Sequence, residues 1–218
     1  MKKLFKLNVL LLLRNKYYWI CISCITIILL CMCLTSIDDG ISKVGLFNVI
    51  VLITCCIQFI HMNKMIRSGL REKELIYFGG KKVKIIEFIF LTFVVIFLTL
   101  ILFGGVFIFR EMLGLNVYDM IYILLSVLYV SIICYATADV YKVYGIGNII
   151  AAFILMNLSM LAFLDEHEVL NLIFPIRWWI QSKANNGLSG CIKLLIYDLV
   201  MLVITFPIGL KRLKALYK

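Results

Sequence analysis

Asp198 is the residue of this chain best placed to do chemistry. It lies about seven residues inside the apolar run 191–210, roughly 10 Å deep at the rise of a helix. An ionisable group at that depth is costly and marks a pathway by default. The alternative is a carboxylate partnered by Lys193 or Tyr197, or turned to another helix for packing. Glu87 stands one turn inside an earlier apolar run with Lys84 three residues before it, the spacing of a local ion pair. Asp119 falls near the start of its run and is expected to be solvated, while Asn157, in mid-run, is expected to hydrogen-bond a neighbouring helix.

Enzymatic chemistry needs polar groups that converge, and few are present. His61 and His167 are expected on opposite membrane faces, no HExxH occurs, and no Ser, Cys or Lys sits beside a His as an activated nucleophile. The eight cysteines (21, 24, 31, 33, 55, 56, 134 and 191) all lie in or at the edge of apolar runs. They read as small apolar side chains, and Cys21-x-x-Cys24 has no second ligand pair to make a metal site. No enzyme activity, metal or cofactor is expected on this chain.

The elements that must position these residues follow from composition. Of 218 residues, 64% are hydrophobic and 16% charged, with a mean hydropathy of +1.06. Soluble domains are about half apolar and about a quarter charged. A chain this apolar needs lipid as its solvent. Crossing the hydrocarbon takes about 20 apolar residues, and six runs qualify: 17–37, 44–63, 85–109, 116–138, 143–164 and 191–210, of which 44–63 is the shortest. They do not alternate in polarity, so the expectation is an all-α, polytopic membrane protein with six transmembrane helices in a single permease-like domain over 1–218. The first run lacks a small-x-small cleavage site and is expected to be a retained helix.

Basic residues orient the bundle. They gather at the N-terminus (Lys2, Lys3, Lys6, Arg14, Lys16), in 64–84 (Lys64, Arg67, Arg71, Lys73, Lys81, Lys82, Lys84), at Lys142 and in the tail (Lys211, Arg212, Lys214, Lys218). Lys43, Arg110, Arg177, Lys183 and Lys193 lie elsewhere. With six spans the four clusters share one side, which the positive-inside rule makes cytoplasmic, with both termini inside a cell membrane. The net charge of +10 is thus a topology signal, and no basic soluble face exists for nucleic acid.

Residues 1–16 pair apolar positions with basic ends, as in a helix lying in the inner interface, or they extend the first span. The connections 38–43, 110–115 and 139–142 are short. Two are long. Outside, 165–190 opens with Asp165, Glu166 and Glu168, then runs apolar from Val169 to Ile180 past Pro175, Trp178 and Trp179. That stretch is too short to span, so it is a re-entrant hairpin or a folded outer loop. Inside, Arg71 to Phe78 are expected to form a short helix ended by Gly79 and Gly80, which can take the left-handed conformation, with Leu70, Arg71, Glu72, Lys73, Glu74 and Tyr77 as candidate contact residues. It is either a peg for a partner protein, for which it mixes charge with apolar anchors, or a solvated loop.

In this plan the chain resembles the permease subunits of ABC-2-type ABC transporters. MKKLFKLNVLLLLRNK corresponds to their connecting helix, REKELIYFGG to the coupling helix between spans two and three, VLNLIFPIRWWI to the re-entrant segment between spans five and six, and KRLKALYK to the basic tail. The resemblance implies an exporter of amphipathic molecules such as antimicrobial peptides, in a bacterial cell membrane. Two permease subunits, identical or not, would pair with a dimer of cytoplasmic ATPases that carry ATP and Mg. It also implies a substrate path past Asn157, Asp198, Trp178 and Trp179. The competing reading is a membrane protein without an ATPase, either an immunity protein or the capturing subunit of an energy-coupling uptake system.

Overall fold

Long apolar stretches in a chain with 2 prolines leave the backbone little alternative to the helix, which satisfies its own amides. The computed structural model describes residues 2–34, 39–67, 73, 76–108, 116–137, 146–164, 176–180 and 187–216. Among them are eight helices and no strand: α1 (Lys2–Leu13), α2 (Lys16–Leu34), α3 (Asp39–Arg67), α4 (Gly80–Ile108), α5 (Val117–Thr137), α6 (Ile146–Leu164), α7 (Ile176–Ile180) and α8 (Gly187–Leu216).

Among the described residues four stretches are long and apolar enough to cross a membrane: Lys43–His61, Gly80–Leu102, Val117–Thr137 and Gly187–Gly209. A fifth is made if α1 and α2 count as one bent span. α6 contains a shorter apolar stretch, Gly147–Leu161. α3, α4 and α8 begin before the apolar runs that predict them. The second run, expected to be the shortest, lies within 29-residue α3, which starts at Asp39 inside the expected outer loop. α8 takes in part of the basic tail and continues through Pro207. A helix does not stop where hydrocarbon stops; it continues until a cap or breaker ends it.

α1 and α2 meet at 67°. Asn15 makes the break, its side-chain oxygen accepting from Tyr17 N at 3.1 Å as an N-cap of α2. α1 is therefore a separate helix and not a straight extension of α2. It packs against α4 through Phe5 and Phe90, edge to face at 5.2 Å. The expected coupling segment is described at Lys73 and from Ile76 on; Gly79 has φ +76° and separates the helical residues 76–78 from α4. Gly80 does not share that conformation and opens α4. Leu70, Arg71, Glu72 and Glu74 lie outside the described residues, as do His167, the 165–168 acidic cluster and the connections 110–115 and 139–142.

α3 is the most enclosed of the four spans, with Leu46, Phe47, Ile50, Val51, Ile53 and Ile57 buried against α2, α5, α6 and α4. Four threonines in the apolar region turn back on their own helix: Thr26, Thr54, Thr137 and Thr205 each donate to the carbonyl four residues earlier. Ser159 joins α6 to α3, its Oγ 2.6 Å from Asn48 Oδ1. α8 is the least enclosed span and makes its largest contact with α5. Gly187 abuts Tyr118 at the start of α5 and Gly209 abuts Tyr135 near its end, so the two helices run parallel.

Candidate functional site on the α5–α8 seam

α8 presents one stripe inward. Gly187, Cys191, Leu194, Asp198, Thr205 and Gly209 are buried at helical spacing, while Leu195, Ile196, Leu199, Val200 and Val203 between them are exposed. Three polar or aromatic groups punctuate this stripe along α5.

At the start of α5, Asn116 and Asp119 form a reciprocal cap. Asn116 Oδ1 accepts from Asp119 N at 3.1 Å, and Asp119 Oδ2 accepts from Asn116 N at 2.6 Å. The other carboxylate oxygen, Oδ1, accepts from Trp179 Nε1 at 2.6 Å. Trp179 is fully buried and stacks on Tyr122, with ring centroids 5.3 Å apart. Asp119 is 1% exposed, which corrects the expectation that it is solvated. Its burial is arranged by α7, which arrives from 60 residues away in sequence. Arg177 of the same short helix is also buried.

About two turns further along α5 lies Asp198 of α8. It is 0% exposed, and neither carboxylate oxygen has a hydrogen-bond partner among the described residues. Lys193, the expected partner, is exposed. The phenols of Tyr122 and Tyr129 on α5 and of Tyr197 on α8 lie within electrostatic reach of the carboxylate. Tyr129 and Tyr197 are 5.9 Å apart, and Trp178 meets Tyr197 edge to face at 5.9 Å. Asp198 thus has three phenols within electrostatic reach but no hydrogen-bond partner among the described residues.

At the far end of the seam, Lys84 of α4 places its ammonium 4.9 Å from the centre of the Tyr135 ring. Tyr135 is stacked on Phe206 of α8 and met edge-on by Phe88 of α4. Lys84 and Glu87 are both buried. This end carries the exposed Lys81, Lys82 and Lys211 and is the basic end of the bundle.

Of the expected site residues, Asp198, Trp178 and Trp179 come together at the seam. Asn157 does not: it is exposed and donates to Phe153 O of its own helix at 2.7 Å, with no bond to another helix among the described residues. Within the expected coupling segment, Lys73, Tyr77 and Gly79 are exposed and Gly80 is half-buried. Among the described cysteines, Cys55, Cys134 and Cys191 are buried while Cys24 and Cys31 are exposed; Cys55 of α3 and Cys134 of α5 bring their sulfurs to 3.3 Å, and Cys191 Sγ lies 3.6 Å from Tyr118 O. The sequence reading missed Tyr122, Tyr129 and Asn116. Two signals were available: seven residues from Tyr122 to Tyr129, which put both on one face, and the Asn-x-x-Asp spacing of a reciprocal cap. No family model matches this chain, and no curated protein or solved structure matches it.

Proposed function

We propose that this chain is the membrane permease subunit of an ATP-driven exporter of the ABC-2 type. In this reading α2, α3, α4, α5, α6 and α8 make six spans, both termini are cytoplasmic, and α1 lies along the inner interface. Two such subunits, alike or different, form the path, and a dimer of cytoplasmic ATPases supplies ATP hydrolysis with Mg. The substrate is an amphipathic molecule moved outward, and Asp198 with Trp178 and Trp179 lies on its route.

One observation carries the reading. At the turn between α3 and α4, Ile76 and Tyr77 are 80% and 79% exposed, next to Phe78 and flanked by exposed Lys73, Lys81 and Lys82. Apolar side chains this bare, set among charges beyond the spans, fit a groove on a protein partner. Just past the turn, Lys84 reaches the Tyr135–Phe206 stack. Force delivered at the turn would therefore pass into α5 and α8 at once.

Co-purification tests it. The tagged chain, expressed from its native operon and extracted gently, is expected to bring a stoichiometric ATPase. The substitutions Ile76→Glu and Tyr77→Glu should abolish that association and leave the thermal midpoint of the purified chain unchanged. A folded chain that brings no ATPase would overturn the reading in favour of a membrane protein that works alone.

A further inference from the structure

Ionised carboxylates in protein interiors are paired, hydrogen-bonded or ligating, because removal from water costs several kcal/mol per ion. Asp119 obeys that rule on the same seam. Asp198 does not: it is fully buried, its oxygens have no hydrogen-bond partner among the described residues, and Lys193 points away from the core. Around it stand Tyr122, Tyr129 and Tyr197, braced in turn by Trp179 and Trp178.

A single buried carboxylate with three tyrosines close by is chemistry that can recognise an organic cation. The carboxylate would supply the charge, and neighbouring tyrosine rings would favour alkylated nitrogen over a hydrated ion. A metal ion is poorly served, since hard cations want six or more oxygens. Among the described residues no three His, Cys, Asp or Glu side chains are grouped to hold one. Depth decides the source of the cation. Asp198 is eleven residues past Gly187 in the stretch Gly187–Gly209, about 16 Å along the helix and near its middle. A lipid headgroup does not reach the middle of a span.

We propose that Asp198, Tyr122, Tyr129 and Tyr197 form a binding site for the ammonium or guanidinium end of an amphipathic organic cation. This rests on the exporter reading only for the cation's role as cargo; the site itself is a property of this chain alone.

The test uses the full chain in phosphatidylglycerol nanodiscs, whose headgroups carry no cation, with Trp19→Phe so that emission comes from Trp178 and Trp179. Decyltrimethylammonium is the probe and decanol its uncharged control. The probe should change tryptophan emission saturably, and decanol should not. Asp198→Asn, which keeps shape and polarity, should weaken probe binding at least about tenfold, the scale of a lost desolvated charge contact. Tyr129→Leu should weaken it too, and Asp198→Glu should retain it. Equal binding by the Asn and parent chains would overturn the proposal and leave Asp198 as a carboxyl neutralised by its own proton. If Asp198→Asn fails to fold, undiminished binding by Tyr129→Leu would overturn it equally. Probe binding without an ATPase partner would sink the exporter reading alone; an ATPase partner without probe binding would sink the site alone.

Discussion

Asp119 and Asp198 are both buried on the α5–α8 seam, and they are opposites. Asp119 has a donor on each oxygen, one from the cap of its own helix and one from Trp179. Asp198 has none among the described residues. The first carboxylate is architecture: it starts α5, docks α7 and fixes the stack of Trp179 on Tyr122. Among the described residues the second contributes no hydrogen bond that holds the fold together. An ionisable group at that depth is a functional candidate by default, and the proposed cation site would give it a role.

The largest effect that would break this contrast is at Asp119. Asp119→Ala orphans the Trp179 indole and the Asn116 amide together, and each orphaned donor costs about 1–3 kcal/mol. The thermal midpoint in micelles should fall further than for any other substitution on the seam. Adding Trp179→Phe to Asp119→Ala, which removes the orphaned indole donor, should recover part of that loss. A midpoint unchanged by Asp119→Ala would mean the cap and the indole bond carry no weight, and the two carboxylates would be alike.

Next in size is Gly209. A Cβ there would lie 2.6 Å from Tyr135 Cε1. That ring cannot yield easily, because Phe206 stacks on one side, Phe88 meets its edge and Lys84 faces it. Gly209→Leu should cost about 1–3 kcal/mol through overpacking. The same substitution should uncouple α8 from α4 at the basic end, so any ATPase stimulation by substrate should fall more than ATPase binding does. A smaller loss, about 1 kcal/mol, is expected for Lys84→Met, which keeps the stem and removes the charge over Tyr135. Its check is the same melt, and a gain in stability would show that the buried ammonium costs more than its ring contact returns.

How much of this was legible beforehand follows from the reach of each interaction. Helices were legible because hydropathy is local: α5 begins and ends within a residue of the run 116–138. The bend between α1 and α2 was half legible, since basic residues marked a separate segment and Asn15 supplied the cap. The starts of α3 and α4 were misjudged because Asp39–Lys43 and Gly80–Lys84 are polar and yet helical. The depth of Asp198 was plain from counting. Its aromatic surround was not, because Tyr122 and Tyr129 come from another helix and only the α5–α8 packing brings them near. Asp119 failed for the same reason: nothing near position 119 announces an indole from position 179. Asn157 failed in reverse, since its own backbone met the need that a neighbouring helix was expected to fill.

The smallest expected effect on stability is the most informative. Asp198→Asn removes a charge that has no partner to lose, so the melt should stay put or rise slightly, as it does when uncompensated buried charge is replaced by neutral groups. Asp198→Leu tests the same idea more severely, because it also removes polarity from a site whose walls are tyrosine rings. Set beside Asp119→Ala, the outcome separates a carboxylate that holds helices together from one that is held by them. A loss at Asp198→Asn as large as at Asp119→Ala would mean that its oxygens are bonded in the folded protein after all. The seam would then carry two structural carboxylates, and the search for a cation site would have to begin elsewhere. A stable Asn variant that has also lost the probe would locate function at a buried carboxylate that hydrogen-bonds nothing among the described residues.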